Sequence, residues 1–176
     1  MDGSDLYVIS GIDGSFSAFD SGIRLLLNGV KIYELAYDRH LSFVENIENM
    51  RKVISQDQQA CTLFGWSIGA VAACFLSNCP NVRGIVAMNA FYRRSEVLSR
   101  RNIYCEEEVF VGDTKKQNLR YAIIRGAKDN KIPPSESIRI LQHYNLTENS
   151  LYTIQNANHD LASFPKEEIA NIIRNL

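Results

Sequence analysis

The chain has 176 residues, of which 45% are hydrophobic and 22% are charged, and its formal net charge is −1. This length suits a single domain, and the composition is that of a globular protein rather than a disordered or fibrous one. The near-neutral charge argues against a nucleic-acid partner, because proteins that bind nucleic acids usually carry a basic excess or stripe.

The N-terminal segment and the cysteines bear on the compartment. The first ten residues lack a basic region followed by a long apolar run, so no signal peptide is predicted. No apolar run approaches the roughly 18 residues that span a bilayer, so no membrane partner is predicted either. The four cysteines follow no zinc-binding spacing and are expected to be reduced thiols in a cytoplasm. With three histidines in the chain, no metal or other cofactor is predicted.

The first half of the chain alternates short apolar runs with helical patterns. Residues 6–10 form a predicted strand, followed by a turn and a helix, and residues 30–37 form a second strand. Another helix leads to a third strand at residues 60–64, which a further helix follows directly. The apolar faces of these helices are marked by Phe19, Ile23, Leu26 and Leu27, by Phe43, Ile47, Met50 and Ile54, and by Ile68, Val71, Ala72, Phe75 and Leu76.

The second half continues the alternation. Strands are predicted at residues 82–88, 119–125 and 150–155, with a helix over about 134–144. The last helix starts near Pro165, since proline is favoured at the first helical position, and its apolar face carries Ile169 and Ile173. The alternation predicts a doubly wound, mostly parallel six-stranded sheet with helices on both faces. In such sheets the site forms at the carboxyl ends of the strands.

One stretch, at about residues 89–118, interrupts this rhythm. It is irregular and charged, and an insertion of this length in a compact domain is often a functional lid. We therefore predict a single domain over residues 1–176 with a lid-like insertion. The insertion contains four arginines, which are Arg93, Arg94, Arg100 and Arg101.

A G-x-S-x-G motif spans residues 65–69 and centres on Ser67. In this motif the serine occupies a strained turn between a strand and a helix, and the flanking glycines relieve backbone clashes. An apolar strand precedes the motif and an amphipathic helix follows it, which is the context that the motif requires. The alternative is an ordinary strand-to-helix turn built from small residues.

A serine hydroxyl needs a base that accepts its proton. His40 lies early in the chain and His143 falls within a helical pattern, whereas His159 follows the sixth predicted strand, at the same edge of the sheet as Ser67. His159 is therefore the predicted base, and a plain loop histidine is the alternative.

The base in turn needs a carboxylate that fixes its tautomer. Asp129 follows the fifth predicted strand and is the preferred candidate, although aspartate is also common in turns. Asp160 directly follows the histidine and would struggle to reach the distal side of its ring, and Asp113 belongs to the insertion.

An oxyanion requires fixed hydrogen-bond donors, which backbone N–H groups supply. Ile68, directly after the serine, and Ile12, in the glycine-containing turn after the first strand, are the predicted donors. The turn around Ile12 has the alternative of simple turn chemistry, and it does not match the G-x-G-x-x-G of a dinucleotide site.

These motifs resemble the α/β-hydrolase superfamily, in the order GWSIG, GAKDNKIPP and NANHDL, over nearly the whole chain. The resemblance implies a minimal α/β-hydrolase fold that lacks the usual first two strands, with Ser67, Asp129 and His159 as a catalytic triad. Gly126, Asp129 and Pro133 match the usual pattern around the acid. The chain departs from the family at its oxyanion turn, where Ser10-Gly11 stands in place of the common His-Gly.

A narrower resemblance concerns residues 64–90, which look like the same region of pimeloyl-carrier-protein methyl esterases and of thioesterases from nonribosomal peptide synthesis. Trp66 beside the serine is common to both groups. The arginines of the insertion could then meet an acidic acyl carrier protein, with a solvated charged face as the alternative. Trp66, Phe91 and Tyr92 are candidate substrate-binding residues, although Phe91 and Tyr92 could equally belong to the core.

The predicted function is that of a serine hydrolase that cleaves an ester or thioester through an acyl-enzyme on Ser67. Two alternatives stay open. One is a carrier-protein-dependent thioesterase or methyl esterase, and the other is a catalytically silent interaction module on the hydrolase scaffold, since a fold does not guarantee an activity.

Overall fold

The computed structural model describes residues 5–12, 15–92 and 118–176. The predictions about Asp113, the four arginines and most of the lid-like insertion concern residues 93–117 and lie outside the described residues.

A six-stranded sheet forms the centre of the molecule. Its spatial order is β2-β1-β3-β4-β5-β6, and all five neighbouring pairs are parallel. This architecture confirms the predicted parallel, doubly wound sheet. The strands are β1 (Asp5–Ile9), β2 (Ile32–Leu35), β3 (Cys61–Trp66), β4 (Val82–Met88), β5 (Arg120–Gly126) and β6 (Leu151–Ile154).

Helices connect the strands wherever the connection is described. A π-helical segment, Phe19–Ile23, continues directly into a short α1, and Ser42 begins α2 with a capping box completed by Glu45. None of the helices in the described part of the chain is long and apolar enough to cross a membrane. The α-helices are α1 (Arg24–Leu26), α2 (Phe43–Gln56), α3 (Ile68–Phe75), α4 (Pro134–His143) and α5 (Lys166–Arg174).

The two faces of the sheet bury separate hydrophobic clusters. One cluster packs α2, α3 and α4 against side chains such as Leu63 and Ile85, and the other packs the α1 region and α5 against Phe64 and Val86. Neighbouring residues of β3 and β4 contribute to opposite clusters because successive side chains of a strand point to opposite faces. Burial on both faces explains why these two strands are predominantly apolar in sequence.

The order of the strands fixes where a crevice can form. From β1 the chain moves outward to β2, then crosses back over β1 to form β3, after which each described strand adds on the other side. The carboxyl ends of β1 and β3 therefore flank the point where the direction of winding reverses, and open α/β sheets bind ligands at this point. Gly11 and Ile12 follow β1 there, and Ser67 follows β3.

Candidate active site

Ser67 lies in a strained turn between β3 and α3. Its φ of 56° and ψ of −125° put a non-glycine residue in a sparsely populated region, which costs on the order of 1–3 kcal/mol. The surrounding structure maintains this turn, since the N–H of Ser67 donates to the carbonyl of Met88 at 2.9 Å and its own carbonyl accepts the N–H of Ala70 at 3.1 Å. This backbone conformation places Ser67 directly before the first residue of α3.

The two glycines of the motif are required by close backbone contacts. A Cβ on Gly65 would overlap the backbone of Gly69 and Ala70, and a Cβ on Gly69 would overlap the carbonyl oxygens of Ile9 and Ser10. The second contact brings the start of α3 against the end of β1. Gly69 therefore joins the turn that carries the serine to the turn that carries Ile12.

We expect Gly69→Ala to destabilise the fold by about 1–3 kcal/mol, because the methyl group meets backbone atoms that cannot rotate away. Urea unfolding followed by circular dichroism measures the change. Gly22→Ala is the matched control, because the nearest atoms to its new methyl group belong to the end of the exposed Lys166 side chain, which can rotate away. Equal losses of stability in the two variants would contradict this account of Gly69.

His159 reaches Ser67 from the loop after β6. Its Nε2 lies 3.1 Å from the Ser67 Oγ, and its Nδ1 lies 2.9 Å from the Asp129 Oδ2. The residue is 8% exposed, so the ring is largely shielded from water at a position that still contacts the cavity. The structure thus brings the three side chains of the predicted triad together in one hydrogen-bonded chain.

Asp129 is held in the loop after β5 by backbone donors. Its Oδ1 accepts the N–H of Lys131 at 2.8 Å and that of Ile132 at 3.0 Å, which leaves Oδ2 for the imidazole. Burial raises the pKa of Asp129, but the hydrogen bonds from His159 and from the two backbone N–H groups outweigh it, so the net pKa lies below its ordinary value. The carboxylate is therefore ionised at neutral pH.

The ionised carboxylate decides the tautomer of His159. A carboxylate only accepts hydrogen bonds, so the neutral imidazole must carry its proton on Nδ1 and leave a lone pair on Nε2. The hydroxyl of Ser67 can then donate to Nε2. This is the orientation in which an imidazole can take the proton of a serine.

Ile68 and Ile12, the predicted oxyanion-hole donors, belong to two segments next to Ser67. Ile68 is the first residue of α3, so its N–H has no acceptor within the helix, and its side chain is buried in the core. Ile12 lines the cavity beside Ser67. Ser10, where the resembling family often has histidine, is buried and accepts the N–H of Tyr37 on its Oγ at 2.9 Å, which ties the end of β1 to the end of β2.

A cavity of about 380 Å³ opens over the serine. Its walls come from the segment after β1, from Trp66 and Ser67, and from residues 159–162. Trp66 forms part of the apolar wall and packs edge-on against Phe16, with 6.0 Å between ring centroids. A volume of this size is within the usual range for a small-molecule site.

Sequence reasoning missed several residues of this cavity. Lys131 and Asp160 line it as a pair, with 3.5 Å between Nζ and Oδ1. The other lining residues that were missed are Ser15, Ser17, Ala18, Leu161 and Ala162. They lie in loops or at the starts of short helices, in segments of ordinary composition. The one available signal was their position just after strands that end at the catalytic edge.

Phe91 and Tyr92 are not among the residues that line this cavity. Phe91 is buried in the cluster beneath α2, α3 and α4. The backbone N–H of Tyr92 donates to the buried Glu136 at 2.8 Å, and its ring packs against His143. These positions match the core alternative for Phe91 and a packing role for Tyr92.

The other candidate histidines and acids lie in different surroundings. His40 is exposed in a turn, where its backbone N–H donates to the carboxylate of Asp38 at 2.8 Å. His143 ends α4, away from the carboxyl edge of the sheet. Asp160 pairs with Lys131 rather than with the imidazole.

The buried cysteines Cys61 and Cys74 do not offer a competing nucleophile. Burial raises the pKa of both thiols to about 12, so they are protonated at neutral pH, and a protonated thiol is a poor nucleophile.

Solved structures with the same architecture include several hydrolases, whereas no protein-family model and no curated protein sequence matches the chain. An α/β-hydrolase enzyme from the metagenome of lagoon sediments at Mar Chica, Morocco, is 19% identical, with a TM-score of 0.74 over 98% of this chain and 90% of that one. The ydeN gene product of B. subtilis is 20% identical, with a TM-score of 0.71 over 98% and 97%. A monoacylglycerol lipase from Paleococcus ferrophilus is 14% identical, with a TM-score of 0.72 over 98% and 95%.

The chain therefore has the α/β-hydrolase fold, as its three motifs predicted. Identities at this level establish the fold alone, so what the protein does must be argued from its own site.

Proposed function

We propose that this protein is a serine hydrolase that cleaves an ester or thioester through an acyl-enzyme on Ser67. The observation that carries the proposal is the continuous chain from the Ser67 Oγ to His159 at 3.1 Å and from His159 to Asp129 at 2.9 Å. The hydrolases among the structures with the same fold support the general class of reaction.

In the first half of the proposed reaction, Nε2 of His159 takes the proton of Ser67 as Oγ attacks the carbonyl carbon of the substrate. The imidazolium that forms is stabilised by the ionised Asp129 at its Nδ1–H. The backbone N–H groups of Ile12 and Ile68 are the proposed donors to the tetrahedral oxyanion. Collapse of this intermediate expels the alcohol or thiol, which receives its proton from Nε2.

The second half of the reaction repeats the same chemistry with water. His159 removes a proton from the water molecule that attacks the acyl-enzyme, and the acid product leaves as Ser67 regains its proton. The strained turn holds Ser67 in the wall of the cavity, beside His159. Apart from the substrate and water, every group in these proposed steps belongs to this chain.

The interaction-module hypothesis predicts no constraint on the tautomer of His159. The two backbone donors to Asp129 and the buried position of the carboxylate are instead the features that base catalysis needs. They favour the enzymatic proposal over the silent module. The carrier-protein hypothesis depends on arginines outside the described residues and stays a prediction. A measurement of binding between this protein and an acylated carrier protein would test it.

A panel of p-nitrophenyl esters and matched thioesters of increasing acyl length tests the proposal. We expect saturable hydrolysis, with a rapid first release of alcohol or thiol equal to the amount of enzyme wherever deacylation is the slow step. An intact-mass measurement after rapid quenching should then show the mass of one acyl group added to the protein. Hydrolysis no faster than the buffer blank for every member of the panel would contradict the proposal.

A further inference from the structure

Asn89 stands at the point where the three catalytic segments meet. It directly follows β4, next to Met88, whose carbonyl accepts the N–H of Ser67. It is 1% exposed, and its φ of 47° is a left-handed conformation that asparagine tolerates better than most residues. Its backbone N–H donates to the carbonyl of Ile124 in β5 at 2.8 Å.

The side-chain amide of Asn89 contacts both of the loops that carry the base and the acid. Its Nδ2 donates to the carbonyl of His159 at 3.0 Å and to that of Asn158 at 3.1 Å. Its Oδ1 accepts the N–H of Gly126 at 3.0 Å, at the end of β5 where the loop of Asp129 begins. Both amide hydrogens and the carbonyl oxygen are therefore used.

The two loops lie directly against each other at this point. A Cβ on Gly126 would overlap the carbonyl oxygens of Ala157 and Asn158, and the N–H of Lys128 donates to the carbonyl of Ala157 at 2.9 Å. The amide of Asn89 lies beneath this contact and bonds to both sides of it. A shift of either loop relative to β4 would have to break at least one of the three hydrogen bonds.

We propose that Asn89 is a positioning residue that sets the register of His159 and Asp129 against Ser67. The inference rests on the proposed function, because it assigns Asn89 a role in that site. The role requires two donors and one acceptor in fixed places, which no other side chain of this size supplies. Aspartate would direct an oxygen at two carbonyl oxygens, and an apolar residue would leave two carbonyls and one N–H without partners.

Asn89→Asp and Asn89→Gly test the proposal, since both residues tolerate a positive φ. We expect kcat toward a short p-nitrophenyl ester to fall on the order of 10- to 100-fold with little change in KM, because the imidazole is displaced rather than the cavity altered. Asn145→Asp and Asn145→Gly are the matched controls. Asn145 also has a positive φ, of 49°, but is exposed in the turn after α4 at the opposite edge of the sheet.

Two NMR measurements make the test independent of turnover. In the variants, the low-field proton resonance of the His159 Nδ1–H should shift or broaden, and the amide of Gly126 should exchange faster with solvent. Because these signals do not need an active enzyme, they decide the role of Asn89 even if the wild type hydrolyses nothing and the proposed function fails.

The contrary outcomes are equally distinct. A wild-type Nδ1–H resonance and wild-type kcat in both Asn89 variants would overturn the proposal, as would a loss of activity no larger than in the Asn145 variants. If both Asn89 variants fail to fold, the Nδ2 protons of Asn89 in the wild type decide instead. Slow exchange of these protons supports the three-way contact, and rapid exchange overturns it.

Discussion

Ser67→Ala is expected to lower kcat by at least about a thousandfold, or about 4 kcal/mol of activation free energy, while the protein stays folded. The substitution removes only Oγ, whose one described partner is His159 Nε2. The backbone contacts of the turn to Met88 and Ala70 do not involve the hydroxyl and should persist. Steady-state hydrolysis of a short p-nitrophenyl ester measures the loss.

Ser67→Gly is the matched partner of this variant. It also lacks the nucleophile, but glycine adopts a φ of 56° without steric cost, so its thermal unfolding midpoint should be at least as high as that of Ser67→Ala. Both variants should be equally inactive despite their different stabilities. Hydrolysis by Ser67→Ala at the wild-type rate would rule out the serine as nucleophile.

Asp129→Asn should lower kcat by about 10³–10⁴-fold with little effect on the fold. An amide at this position can direct its own N–H at Nδ1, which forces the imidazole proton to Nε2. That proton would then face the Ser67 Oγ, where a lone pair is needed. Steady-state kinetics on the same ester measure the effect. A fall in kcat with little change in KM is expected, whereas weaker substrate binding would raise KM.

Asp38→Asn is the control for Asp129→Asn. The carboxylate of Asp38 also accepts a backbone N–H from two residues further on, but it holds His40 in an exposed turn rather than an imidazole at the serine. Its activity should stay within a few-fold of wild type. If both variants lost activity to a similar extent, the loss would come from disturbing an aspartate-containing turn and not from the removal of a triad carboxylate.

The lowered pKa of Asp129 also predicts how stability responds to acid. A carboxyl whose pKa is lower in the folded than in the unfolded chain stabilises the fold above about pH 4, and that contribution disappears as the pH falls through the folded value. The wild type should therefore lose stability relative to Asp129→Asn between pH 7 and pH 3. Urea unfolding at both pH values measures this, and a difference that does not change with pH would contradict it.

Most of the architecture could be predicted from the sequence because the strands are buried on both faces. Apolar runs such as residues 84–88, separated by amphipathic helices, are typical of parallel sheets. The triad could be proposed for a related reason. Side chains that follow β3, β5 and β6 must emerge at one edge of the sheet, so the positions of Ser67, Asp129 and His159 in the chain already brought them to that edge.

The remaining details depend on contacts between distant segments, which local patterns do not encode. The order of the strands depends on which strands pair, and local sequence does not specify this. An apolar residue such as Phe91 also cannot be assigned from sequence to the core or to a binding cavity. Asn89 was equally inconspicuous. An asparagine after a strand is common in turns, and only the approach of residues 126, 158 and 159 gives its amide a specific role.

Covalent labelling with a fluorophosphonate tests most directly whether Ser67 is an activated nucleophile. Peptide mapping by mass spectrometry should find one adduct per chain on Ser67, with no labelling of heat-denatured protein or of Ser67→Ala. Labelling that persists in Ser67→Ala, or a folded wild-type protein that does not react, would contradict the account.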